Sequence, residues 1–109
     1  MSDSAPEGGG LPVETILERL QNLQGWTLDD GKLVKSYRFP DFVIAVGFVD
    51  RVTVVAEEQN HHPDLAITWG KVTVHLRSHD VAGITGRDFR LAAAIDAISD
   101  AGSAKQESE

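Results

Sequence analysis

The stretch from Asp41 to Gln59 constrains the fold more than any other part of this chain, because it is long and Gly47 is its only breaker. Its composition pulls toward strand, since Val43, Ile44, Val46, Val49, Val52, Val54 and Val55 are all β-branched. Its length pulls harder the other way, because strands in small domains typically run to about five or six residues. Phe42, Ala45, Phe48, Val52, Val55 and Gln59 fall on one helical stripe, and Asp41 can cap its start. The segment is therefore predicted to be a helix, and the rest of the chain must be arranged around it.

On its N-terminal side, Val13, Ile16, Leu17, Leu20 and Leu23 recur at helical spacing after Pro12, and Gln24-Gly25 stops the pattern. Trp26 to Leu28 and Leu33 to Phe39 read as strands joined by Asp29-Asp30-Gly31-Lys32, a hairpin signal. On the C-terminal side, Pro63 ends the long helix. Leu65 to Trp69 and Val72 to Arg77 read as a second hairpin around Gly70-Lys71, with Val72, Val74 and Leu76 facing inward. Thr85 with Asp88 three residues on has the form of a capping box with Asp in place of Glu, and Leu91, Ala94, Ile95 and Ile98 continue the helix. The expected order is α-β-β-α-β-β-α. This is an α+β fold, a four-stranded antiparallel sheet with three helices on one face.

A chain of 109 residues, 41% of them hydrophobic, supports one core and not two. Residues 1 to 10, ending in three glycines, read as a disordered leader, 11–100 as the single domain and 101–109 as a flexible tail. Cysteine is absent, which excludes disulfides and thiolate chemistry. No apolar run can span a bilayer and the N-terminus is polar, so the expectation is a cytoplasmic protein with no membrane partner. The net charge is −7; Asp3 and Glu7 contribute −2, and Lys105, Glu107 and Glu109 a net −1, leaving −4 for the domain. Without clustered Lys and Arg, direct nucleic-acid binding is not expected.

Chemistry concentrates in Glu57-Glu58-Gln59-Asn60-His61-His62-Pro63, with His79 and Asp88 downstream. Imidazoles beside carboxylates can give and take protons near neutrality without a cofactor. The spacing of Glu57, His61-His62-Pro63, Trp69, His79 and Asp88 resembles the signature of the pterin-4a-carbinolamine dehydratases, also known as dimerisation cofactors of a homeodomain transcription factor. Gly25-Trp26, Phe39-Pro40-Asp41-Phe42, Ser78-His79-Asp80 and Gly83-Ile84-Thr85 resemble the same family, so that the likeness runs from about Leu11 to Ile98. Two positions depart from it: Ser78 stands where the family usually has Thr, and Asn60 where some members carry Asp.

The resemblance implies the same fold and the removal of water from a 4a-hydroxytetrahydropterin to give the quinonoid dihydropterin. It implies His61, His62 and His79 as active-site histidines, with Glu57 and Asp88 orienting imidazoles. His61 and His79 are expected to transfer protons and His62 to bind. Asn60, Pro63, Arg77, Ser78 and Asp80, with the three histidines, are expected to line the pterin. No cofactor and no metal is expected. The implied partners are the pterin, an aromatic amino-acid hydroxylase in the same pathway, and further copies of the chain in a homodimer or homotetramer.

Blander roles stand beside these. Helix capping alone accounts for Asp88. Trp69 is either a pterin wall or a sheet residue, Trp26 is expected in the core, and His75 on a solvent-facing strand position. Three histidines and a carboxylate can also make a zinc site, although adjacent His61 and His62 turn onto one ion only awkwardly. A scaffold that binds a protein partner on the same fold is the alternative to an enzyme.

Overall fold

The computed structural model describes residues 10–101. Helix α1 spans Val13–Leu20, β1 Thr27–Asp29, β2 Lys32–Arg38, α2 Phe42–Gln59, β3 Asp64–Thr68, β4 Lys71–Leu76 and α3 Gly86–Ala101. The order expected from sequence is the order found. The remainder of the expected leader and tail, residues 1–9 and 102–109, lies outside the described residues. Gly10, which the sequence reading put in the leader, is packed against the domain: a Cβ there would come within 2.5 Å of the Ile84 carbonyl oxygen. The Leu11 N–H donates to that carbonyl at 2.7 Å.

The four strands form one antiparallel sheet in the order β1-β2-β4-β3. Both hairpins are local, and the sheet is completed when β4 pairs with β2. In the first turn Asp30 and Gly31 both take positive φ, 54° and 76°, the backbone of a tight hairpin turn that suits the twist of its strands. The inward face carries Leu33, Tyr37, Val72, Val74 and Leu76, all buried. The opposite face is polar, with Ser36 and Thr73 hydroxyls 2.9 Å apart across the β2–β4 pair, and His75 lies on it.

Helix α2 starts where Asp41 accepts the Ile44 N–H at 2.9 Å. Its buried residues are Ala45, Phe48, Val52 and Ala56. The stripe therefore runs through Ala56, and Phe42, expected on it, is 51% exposed. Phe48 packs between Tyr37 and Phe39, with ring centroids at 4.9 and 5.0 Å. Full burial of such a side chain is worth roughly 1.5–3 kcal/mol.

The α1 stripe is only partly used. Ile16 is buried, while Val13 and Leu17 remain half exposed, because α1 lies against short edge strand β1 and not across the sheet. Trp26 is in the core, as expected, and its Nε1–H donates to Asp96 of α3 at 3.0 Å. Lys35 and Tyr37, inward-facing on β2, reach the other Asp96 oxygen. That carboxylate ties the C-terminal half of α3 to the sheet.

Candidate active site

The C-terminus of α2 meets the N-terminus of α3, and the pairing decides where each candidate residue points. Asn60 adopts the left-handed conformation, φ 53° and ψ 43°, at the end of α2. Asparagine tolerates this region better than most residues, so the position has a local structural use beyond any contact with substrate. The His61 N–H then donates to the Ala56 carbonyl at 3.1 Å, closing the helix. After this reversal the adjacent imidazoles part: His61 turns inward, 7% exposed, while His62 stays at the surface.

Each of the two rings has its own carboxylate. His61 Nε2 lies 2.6 Å from Asp88 Oδ1, and His62 Nε2 lies 2.7 Å from Glu57 Oε2. A carboxylate can only accept, so in each pair Nε2 is the donor. Asp88 is fully buried, and its second oxygen accepts from the Ser78 hydroxyl and from the Thr85 N–H, both at 2.9 Å. The capping box read from the sequence is therefore present, with the Thr85 hydroxyl accepting the Arg87 N–H at 3.2 Å. One side chain caps α3 and orients His61 at once.

The hydroxyls form an ordered chain. Ser78 gives its proton to Asp88, so at 2.8 Å it accepts from Thr85, whose oxygen in turn accepts the backbone N–H and the Nε–H of Arg87. Arg87 extends the network to the surface through a 2.8 Å ion pair with Asp80. This guanidinium holds the Asp80 carboxyl below its ordinary range, and Arg87 is raised in return. Arg87 was not among the residues singled out from sequence. The signal that could have found it is a cation in the first turn of a helix, where the macrodipole disfavours it.

His79 is exposed, in a loop closed by a bridge between Ser78 and Gly83. Arg77 follows the last residue of β4, and its Nε is buried with no hydrogen-bond partner among the described residues. Pro63 helps line a shallow cleft of about 150 Å³ together with Val52, Thr53, Ala56, Glu57, His62 and Leu65. That cleft contains the Glu57–His62 pair but not His61, His79 or Asp88. Trp69 is 71% exposed at the β3–β4 turn. Among the described residues no three His, Cys, Asp or Glu side chains converge as metal ligands. No helix among them is long and apolar enough to cross a membrane.

The chain is thus an α+β domain with two imidazole–carboxylate pairs at the end of α2, one of them reaching the start of α3. The chain belongs to the pterin 4 alpha carbinolamine dehydratase family, whose model matches residues 10–98. It is 48% identical over 83 residues to a protein of Roseiflexus castenholzii provisionally named a pterin-4-alpha-carbinolamine dehydratase, covering 76% of this chain and 89% of the relative. A protein of the same provisional name from Herpetosiphon aurantiacus is 47% identical over 88 residues, covering 81% of this chain and 92% of the relative. Among solved structures, a Brucella melitensis protein described as a transcriptional coactivator/pterin dehydratase superposes with a TM-score of 0.76 at 33% identity, covering 81% of this chain and 96% of that one. A pterin dehydratase-like protein described as a RuBisCO assembly factor shares the fold, with a TM-score of 0.57 at 22% identity over 71% of this chain and 89% of that one.

Proposed function

We propose that this protein dehydrates 4a-hydroxytetrahydropterins, giving the quinonoid dihydropterin and water, as one step in recycling the pterin used by an aromatic amino-acid hydroxylase. The observation that carries the reading is that two adjacent histidines each have a separate carboxylate within 2.7 Å, one pair buried and one exposed. The C4a hydroxyl is a poor leaving group and must be protonated as its bond to carbon breaks, while the neighbouring ring nitrogen loses a proton. One acid and one base suffice, and the reaction needs no electron transfer.

His61 suits proton transfer because Asp88 fixes its tautomer and the surrounding burial fixes its orientation, the logic by which a carboxylate prepares a catalytic imidazole. His79, in its exposed loop, supplies the second proton-transfer group. His62, on the surface with Glu57, makes a binding contact that adapts to the ring edge. Asn60, Pro63, Arg77, Ser78 and Asp80 complete the pterin's surroundings.

A non-catalytic scaffold that binds a protein partner is the second reading. It draws on the outward apolar residues of α2, where Val43 is 78% and Val54 56% exposed. It gives no account of the two imidazole–carboxylate pairs. The deciding assay adds purified protein to enzymatically generated 4a-hydroxytetrahydropterin and follows dehydration without added metal. His61→Ala and His79→Ala should each lower turnover by roughly a hundredfold, with His62→Ala acting mainly on KM. Full turnover in both His61→Ala and His79→Ala would reject the assignment, and an inactive wild type would leave the scaffold.

A further inference from the structure

His79 lacks what the other two histidines have. His61 is held by Asp88 and His62 by Glu57, but among the described residues no side chain is hydrogen-bonded to the His79 ring. A ring this exposed is oriented only as well as the backbone that carries it. That backbone is a tight loop: the Ser78 N–H donates to the Gly83 carbonyl at 2.7 Å, and Val81 and Ala82 turn back onto the Ser78 and His79 carbonyls. Ala82 sits at φ 53°, a conformation an L residue keeps only when its surroundings enforce it.

Arg87 reaches the loop from the first turn of α3. Its Nη2 donates to Asp80, the residue after His79, at 2.8 Å, and its Nε donates to the Thr85 hydroxyl at 3.3 Å. Thr85 continues through Ser78 to Asp88, and so to His61. Thus one guanidinium fastens the exposed histidine's loop to the hydrogen-bond network that holds the buried histidine. Helix electrostatics do not explain a cation in the first turn of α3, but the Asp80 carboxylate does.

We propose that Arg87 is a positioning residue for His79, setting that imidazole's place relative to His61 by clamping Asp80 onto the start of α3. This rests on the dehydratase reading above. The Arg87 and Asp80 side chains are 39% and 63% exposed, and such pairs add little to stability, so the clamp should be visible in turnover and not in melting.

The test measures kcat, KM and melting for wild type, Arg87→Ala, Arg87→Lys, His79→Ala and the Arg87→Ala/His79→Ala double variant, with 1H–15N spectra of the imidazole rings. Arg87→Ala should lower kcat roughly tenfold while KM stays within about twofold, the pattern of a misplaced reacting group. Arg87→Lys, which keeps a cation for Asp80, should recover most of that loss. The double variant should be no slower than His79→Ala alone, because Arg87 acts through His79. In Arg87→Ala the His79 ring resonances should move and those of His61 should hold. Unchanged kcat in Arg87→Ala, losses that multiply in the double variant, or unmoved His79 resonances would each overturn the proposal. A wild type without dehydratase activity would sink the reading beneath it, and the ring spectra would then decide the clamp by themselves.

Discussion

Asp88 offers the sharpest quantitative test, because one buried carboxylate serves two neighbourhoods. In Asp88→Ala the Thr85 N–H loses its cap partner, and the Ser78 hydroxyl and His61 Nε2 lose their acceptor inside the protein. A lost cap costs about 1 kcal/mol, and each buried donor left without a partner about 1–3 kcal/mol. These losses share one network and do not add fully, and about 4 kcal/mol is the expectation here. For a domain of this size that corresponds to a fall in Tm of roughly 15–30 °C. Urea unfolding followed by fluorescence of buried Trp26 would measure it, with the m-value unchanged. Asp88→Asn separates stability from chemistry. Its amide keeps the volume and one acceptor, so the stability cost should be smaller, but its N–H₂ meets either Ser78 or His61 and disturbs the proton order. Turnover should then drop at least as far as in Asp88→Ala. A cost below about 1 kcal/mol for Asp88→Ala would refute the claim that this carboxylate organises both the cap and His61.

Further outcomes are expected. Ala82→Gly should stabilise the domain by about 0.5 kcal/mol in urea unfolding by relieving the left-handed conformation, with a loss of stability counting against it. Gly10→Ala should cost about 1–2 kcal/mol in the same assay because its Cβ would meet the Ile84 carbonyl at 2.5 Å, whereas deleting residues 1–9 should leave Tm unchanged. Arg87 lowers the folded-state Asp80 carboxyl below its ordinary value, so the Asp80 carboxylate should stay charged to lower pH in wild type than in Arg87→Ala; a carboxyl titration by NMR that is the same in both would contradict this. Light scattering should report at least a dimer, because β3 has a neighbour on one side only and α2 exposes Val43 and Val54, and a monomer at micromolar concentration would contradict it.

The local signals in this chain were strong enough to specify its elements. Nineteen residues from Asp41 to Gln59 with one breaker and an Asp cap favoured a helix over the strand that their β-branched side chains prefer, and Asp30-Gly31 signalled a tight turn. The alternation of Val72, Val74 and Leu76 set which face of β4 is buried, and Thr85 with Asp88 marked the start of α3. Each signal spans a few residues, within reach of backbone geometry alone. The family spacing likewise brought His61, His62, His79, Glu57 and Asp88 to notice.

What the spacing left open was who partners whom. His61 and Asp88 are separated by 27 positions, and the bond between them forms only because α2 ends beside the start of α3. The left-handed turn at Asn60 sends one imidazole inward and its neighbour out, a difference between adjacent identical residues that no side-chain property encodes. Asp96 gathers Trp26, Lys35 and Tyr37 from β2 and the segment before β1, and Arg87 joins the His79 loop to the buried hydroxyls. Those convergences belong to tertiary packing: hydrogen bonds between distant segments have no sequence period, and burial decides which polar groups must find one another.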